Sequence, residues 1–383
     1  MLKVFFALLR DAMFGEPIPD GMRRELTLDE LIVLYKLSKM HDISHIISIA
    51  LEKNGMFPTD KTAAEKFSKQ QFLAFYRYEQ QNFEFSAICE VLERNGIPYI
   101  PLKGAVIRDL YPEPWMRTSC DIDILVHEED VSRAASVIKQ ELQYENKGVR
   151  TYHDVSLYSP SGVHLELHFN ILEDIENIDN VLMRVWDYAE RDGDSFRYRL
   201  TPEYLLFHII SHIVYHFKNG GCGVRALLDL YILEKKTAWN DAVFTDLLKL
   251  CGIFDFYVNI KALMLVWFDS AEHTELTREM ERFVLAGGTY GDLSASVAAR
   301  RSSSKGKFSY FIKRIFQPYE ILKIKYPVLK KHKWLTPFCQ VRRWFSLIFS
   351  GDISRSAMEL KENAKIDSKQ VEKIANFHSR VGL

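Results

Sequence analysis

Long apolar runs are missing from this 383-residue chain, and so are most of the short motifs that announce a chemistry. No stretch approaches the ~20 consecutive apolar residues that a membrane-spanning helix needs, so stable insertion into a bilayer is not expected. The opening run Met1-Leu2-Lys3-Val4-Phe5-Phe6-Ala7-Leu8-Leu9-Arg10-Asp11 is short, broken by charge and without a convincing cleavage site. A cytoplasmic protein is the expectation, with peripheral membrane contact left open. Cysteine is scarce: Cys89, Cys120, Cys222, Cys251 and Cys339 are widely spaced and include no Cys-x-x-Cys pair. That argues against a disulfide framework and against a structural zinc site. There is no Gly-x-Gly-x-x-Gly fingerprint and no Gly-Lys-Ser/Thr loop, so the glycine-rich Ala286 to Gly291 reads as a turn. Internal repeats and low-complexity tracts are absent.

What is present is an ordinary globular composition, 47% hydrophobic and 26% charged. The length suggests two or three domains. A net charge of −1 conceals an asymmetry, because Arg300 to Phe345 holds thirteen Lys or Arg against one acid, Glu320. A segment of this kind suits phosphates or an anionic surface, or equally a solvated helical face resting on an acidic body. Pro318, Pro327 and Pro337 are expected to divide it into short helices, and the polar tail from Ile353 reads as mobile.

Residues 1–95 read as helical. Thr27-Leu28-Asp29-Glu30 has the form of a capping box, and a long helix from Asp60 to Glu93 should stop at Asn95-Gly96. Between 96 and 200 the period shortens. Ile97 to Leu102 is extended, Ala105 to Tyr111 opens a helix, and Glu128 to Gln140 is a second one. Tyr152 to Tyr158 and Val163 to Phe169 form a hairpin across Ser159-Pro160-Ser161-Gly162. From Thr201-Pro202 the chain is helical again, Pro being favoured at a helix start. Trp239 to Phe268 makes two apolar helices. The expected organisation is therefore an N-terminal helical region (1–95), a small α+β domain with a mixed sheet (96–200), a helical domain (201–299) and a basic helical extension with its tail (300–383).

The chemistry concentrates in the α+β part. Alternate side chains of a strand share a face, so Asp121 and Asp123 project together while Ile122 and Ile124 pack inward. His164, Glu166 and His168 share a face in the same way. Two such strands side by side gather three carboxylates, the oxygen ligands that Mg²⁺ takes alongside substrate phosphates. Lys103-Gly104 sits between an extended segment and a helix start, where free N–H groups and the helix dipole favour an anion. Arg117 lies four residues ahead of Asp121, where an arginine can pair with Asp121 or Asp123. His208, His212 and His216 recur at steps of four along one helical face. They make either a metal site or a polar wall, although no Glu follows the first His as in His-Glu-x-x-His.

The order Lys103-Gly104, Arg117, Asp121-x-Asp123 and a strand carrying Glu166 resembles the polymerase-β-like nucleotidyltransferase superfamily. More closely, it resembles the bacterial group labelled uncharacterised nucleotidyltransferases (NTP_transf_5), and the resemblance runs from about Leu31 to about Arg343. It implies a nucleotidyltransferase palm in which Asp121, Asp123 and Glu166 are catalytic and hold Mg²⁺ or Mn²⁺. It further implies that Lys103, Gly104 and Arg117 receive the phosphates of an NTP. His212, His216, Arg225 and Asp229 would line the cleft from the helical side. The usual Gly-Ser turn is replaced by Lys-Gly-Ala, so the hydroxyl that often meets phosphate is missing, and either Lys103 stands in for it or phosphate binding is altered. The implied reaction is transfer of an NMP to a hydroxyl with release of pyrophosphate, the acceptor being a peptide, sugar, small molecule or RNA. Two alternatives stay open. One is a tailoring enzyme that transfers a sugar or phosphoryl group, since Asp-x-Asp also serves glycosyltransferases. The other is a nucleotide-binding regulatory module of toxin–antitoxin type.

Overall fold

The computed structural model describes residues 1–59, 61–146, 151, 153–290, 293–302, 316, 319, 322, 326, 328–349 and 366–383. The helical opening comprises α1 (Leu2–Phe14), α2 (Leu28–Met40), α3 (Ser44–Lys53) and α4 (Lys61–Arg94). The capping box forms: Glu30 N donates to Thr27 Oγ1 and Thr27 N to Glu30 Oε2. Each satisfies an amide that the helix itself leaves free. Gly96 ends α4 at φ 61°, a left-handed conformation. Asp60, where the sequence starts this helix, lies outside the described residues.

The α+β part follows as β1 (Tyr99–Pro101), α5 (Gly104–Ile107), β2 (Asp121–Val126), α6 (Val131–Leu142), β3 (Asp154–Tyr158) and β4 (His164–His168). The strands form one mixed sheet in the order β1-β2-β4-β3, with β2 and β4 parallel and the outer pairings antiparallel. The fold is thus α+β, mostly helical, with a small mixed sheet flanked by helices. Three boundaries differ from expectation. The helix expected over Ala105 to Tyr111 is one α-turn followed by the 3₁₀ turn Arg108–Leu110. The one expected over Glu128 to Gln140 is shifted to Val131–Leu142. The hairpin's first strand begins at Asp154, Tyr152 lying outside the described residues.

Beyond the sheet come α7 (Glu176–Leu182), the ribbon β5 (Ala189–Arg191) and β6 (Tyr198–Leu200), then α8 (Pro202–Lys218), α9 (Val224–Lys236), α10 (Asp241–Leu250), α11 (Phe254–Phe268), α12 (Glu275–Gly287) and α13 (Leu293–Ser302). Two apolar cores hold this arrangement. One lies between a face of the sheet (Ile122, Ile124, Val126, Leu165, Leu167) and α4 and α6, through Ile88, Val91, Leu92, Val131, Ala134 and Ile138. The larger core joins α1 and α3 to α8, α9 and α11, and takes in Leu125 from the opposite face of β2. The carboxylate end of that same face is only partly buried.

The end of the chain differs from the reading of a mobile tail. Ser368–Val381 is a helix capped by Asp367, and it buries Phe377, His378 and Val381. Phe377 packs on Phe217 and Phe283. Two apolar residues and a buried histidine on one side suffice to dock a helix that is polar elsewhere. In the basic segment, Pro318 and Pro327 fall outside the described residues. Pro337 does not break a helix; it stands in the first turn of Thr336–Phe349, where its missing N–H costs nothing.

Candidate active site

The parallel register of β2 and β4 decides the geometry. Asp121 stands opposite His164 and Asp123 opposite Glu166, so the three acids share one sheet face. Two groups arise whose ligand atoms all lie within 4.8 Å of one another: Asp121, His164 and Glu166, and Asp123, Glu166 and His168. Glu166 belongs to both. Alternation of apolar and charged residues puts them here, since each odd-numbered aspartate exposes itself by burying Ile122 and Ile124 on the other side.

The acids are unequal. Asp121 is pushed above the usual carboxylate range, first by burial and then by the charges of Asp123 and Glu166, although Ser119 Oγ donates to its Oδ1 at 2.9 Å. For Asp123, burial opposes ionisation, yet His168 and Lys103 outweigh it and hold the group below its ordinary value. His168 Nε2 lies 2.9 Å from Asp123 Oδ1 and 3.5 Å from Glu166 Oε2. Burial lowers the His168 pKa, but these two acids raise it to about 9, so the imidazole is a cation that donates to both.

Lys103 and Gly104 form the turn between β1 and α5. Lys103 has φ 37°, a left-handed conformation that a side chain adopts only at a cost. The turn is fastened to the sheet by Leu102 N donating to Asp123 O at 3.0 Å. A Cβ at residue 104 would sit 2.5 Å from Arg117 Nη1 and 3.3 Å from Ser119 Oγ, so only glycine allows Arg117 to pass. The hydroxyl that the turn's own sequence lacks therefore stands beside it, on Ser119. This residue was not singled out in the sequence, because a Ser two places before an Asp is too common to signify.

Arg117 pairs with neither Asp121 nor Asp123. Its guanidinium reaches Asp229 on α9, Nη2 to Oδ2 at 3.0 Å, with both side chains buried. Tyr111 Oη donates to the other oxygen at 2.8 Å. Arg225 points to the same loop from outside, donating to Thr118 O at 3.1 Å and to Asp42 Oδ2. Arg225 and Asp229 thus hold the loop that carries Arg117, and Gln81 of α4 secures it from the other side by donating to Ser119 O at 3.1 Å.

His212 and His216 come from α8 and stand beside Lys103. His212 Nδ1 lies 2.8 Å from Glu173 Oε1, and a carboxylate can only accept, so Nδ1 carries the proton. Its Nε2 then accepts from His216 Nε2 at 2.9 Å. Lys103 Nζ is 3.2 Å from the protonated Nδ1, a close approach between two donors. Burial and Lys103 keep His212 neutral, its pKa well below the ordinary value. His208 is buried with neither ring nitrogen bonded, and burial lowers its pKa to about 3. The three histidines form no metal group with one another among the described residues. Glu173 was missed in the sequence: a single Glu in a loop has no period, and only the packing of that loop on α8 brings it to His212.

Residues 31–269 match the family described as uncharacterised nucleotidyltransferase (NTP_transf_5). The match spans well over half of the chain and includes the sheet, the Lys103-Gly104 turn and α8 and α9. It ends before the Ala286 to Gly291 turn and the basic segment, to which the sequence reading extends the resemblance. No curated protein and no solved structure matches the chain. With the turn, the paired aspartates and the glutamate strand all inside the matched stretch, the chain belongs to the uncharacterised nucleotidyltransferase family.

Proposed function

We propose that this chain transfers a nucleoside monophosphate from an NTP to an acceptor hydroxyl at the site formed by Asp121, Asp123 and Glu166. The observation that carries this reading is the β2–β4 register, which sets three part-buried carboxylates on one face, within the field of Lys103. Among the described residues Lys103 is in no salt bridge, and its charge, which already favours the ionised form of Asp121 and Asp123, would serve a phosphate bound beside them.

The donor set fits a divalent cation of the hard or borderline kind, since shared carboxylate oxygens suit Mg²⁺ and the adjoining imidazole of His164 extends the fit to Mn²⁺. Asp121, Asp123 and Glu166 would hold it. Such an ion, when bound, neutralises phosphate charge and makes a coordinated hydroxyl more acidic. The chain's own residues supply the rest. Lys103 offsets charge on the β- and γ-phosphates. Arg117, locked on Asp229, lends positive potential without leaving its partner. The acceptor oxygen bonds to the α-phosphorus, its proton passes to a carboxylate of the trio, and pyrophosphate departs with the electron pair of the broken bond. Positioning and charge neutralisation dominate catalysis of this kind. Five free thiols and a need for NTP both suit a cytoplasmic enzyme.

The test is incubation with each α-³²P-labelled NTP, Mg²⁺ or Mn²⁺ and a cell extract, beside Asp121→Ala/Asp123→Ala. Label reaching a macromolecule or small molecule with the wild type alone supports the reading and shows the acceptor class. Binding of NTP with no transferred label would refute it in favour of a regulatory module.

A further inference from the structure

The described residues of the basic segment take no part in the site described above and present a face of their own. Trp334, Phe338 and Val341 are 69%, 67% and 43% exposed. Their spacing of four and three puts them on one side of the turn Lys333–Leu335 and the helix Thr336–Phe349. The rings of Trp334 and Phe338 meet edge to face at 6.4 Å. On the other side Cys339 is buried with Leu322 and Leu329 in a small core separate from the two main ones. The outward stripe is therefore no defect of packing, because the helix already has a buried face.

Charge accompanies the stripe. From Val328 to Phe349 the chain carries Lys330, Lys331, Lys333, Arg342 and Arg343 and no acid. Lys331, Lys333 and Arg342 are exposed. Two of these cations are held in place by rings, Lys333 over Tyr319 at 4.8 Å and Arg342 over Tyr326 at 5.7 Å. A short helix with exposed Trp and Phe in a stripe and lysines at its margins is suited to lie in the plane of an anionic interface. No described helix is long and apolar enough to cross a membrane. Nucleic acid would meet the same cations, but an aliphatic side chain such as Val341 neither stacks on bases nor bonds to them. Between the two, the stripe favours lipid.

We infer that Trp334, Phe338 and Val341, flanked by Lys331, Lys333 and Arg342, form a docking surface for an anionic lipid bilayer. This inference is independent of the transfer chemistry. The rings enter the headgroup boundary while the cations remain with the lipid phosphates. The experiment is co-sedimentation of the full chain with phosphatidylcholine vesicles, with and without phosphatidylglycerol. Binding to the anionic vesicles only is expected. Trp334→Ser/Phe338→Ser should weaken it roughly tenfold or more through lost apolar burial. Lys331→Glu/Lys333→Glu should weaken it by about an order of magnitude. All four positions are exposed, and circular dichroism of each variant checks that the fold is kept. Equal binding to neutral vesicles overturns the proposal, as does full retention by the Ser variant. So does a preference for single-stranded RNA over anionic vesicles at the same salt.

Discussion

Arg117 and Asp229, 112 residues apart in the chain, form a buried ion pair that joins the loop before β2 to helix α9. The pair explains why the arginine ahead of the paired aspartates does not fold onto them. Its partner is supplied by the helical domain, and the aspartates are left to other cations.

Asp229→Ala strands the Arg117 guanidinium, and Tyr111 loses its acceptor as well. The expected loss of stability is about 3–5 kcal/mol, the usual result of removing one member of a buried pair. Urea unfolding measures it. Replacing both partners together, as Arg117→Met/Asp229→Leu, should recover most of the loss. A double variant no more stable than Asp229→Ala would show that the pair's charge is not what matters.

Lys103 occupies a conformation that glycine adopts freely. Lys103→Gly should therefore hold or raise stability, by up to about 1 kcal/mol, while NTP affinity falls. Lys103→Ala keeps the strain and loses the amine. Paired Tm and NTP-binding measurements separate the two effects. If Lys103→Gly lowers Tm as much as it lowers affinity, the turn is not a functional compromise.

Crowding of like charge at Asp121 implies that Asp121→Asn stabilises the metal-free protein, on the order of 1 kcal/mol. The amide keeps an oxygen for the Ser119 hydroxyl. The same substitution should abolish the rise in Tm that Mg²⁺ or Mn²⁺ causes in the wild type, and cut transfer roughly a hundredfold or more. A wild-type Tm indifferent to both ions would count against the metal site altogether.

Stability should fall on both sides of neutrality. Burial lowers the pKa of His41 and of His378 to about 4, and of His208 to about 3, whereas an unfolded histidine titrates near about 6.5. Above that pH neither state is protonated and these groups contribute nothing. Below it the unfolded chain takes up protons that the folded one refuses, so stability declines from about pH 6.5 toward 4. His168 has the opposite sign. Its pKa is raised to about 9, so its contribution is complete below about pH 6.5 and is lost as the pH climbs through 9. Thermal scans of the metal-free protein across pH check both limbs. His168→Gln should remove the alkaline limb alone.

Local rules made much of this legible from the residues. The Thr27 capping box, the end of α4 at Gly96 and the Pro202 start of α8 depend on a few neighbouring residues, and so they are visible in one dimension. The same holds for the shared face of Asp121 and Asp123, which needs only the two-residue period of a strand. The Ser368–Val381 helix was harder to read, because Phe377 and Val381 among polar residues identify a docked helix only once Phe217 and Phe283 are there to receive them. Ser119 and Glu173 gave no signal for a similar reason.

By itself, then, the sequence determined the α+β class, the turn, the acidic strands and the likeness that places the chain among nucleotidyltransferases. Period, capping and residue order are properties of adjacent positions. Only the tertiary structure decided that β2 and β4 run parallel with Asp123 opposite Glu166, that Arg117 belongs to Asp229, and that Glu173 fixes the tautomer of His212 beside Lys103. Those pairings join residues far apart in the chain, and which partner a buried charge takes is set by the packing that brings it there, not by the residues on either side of it.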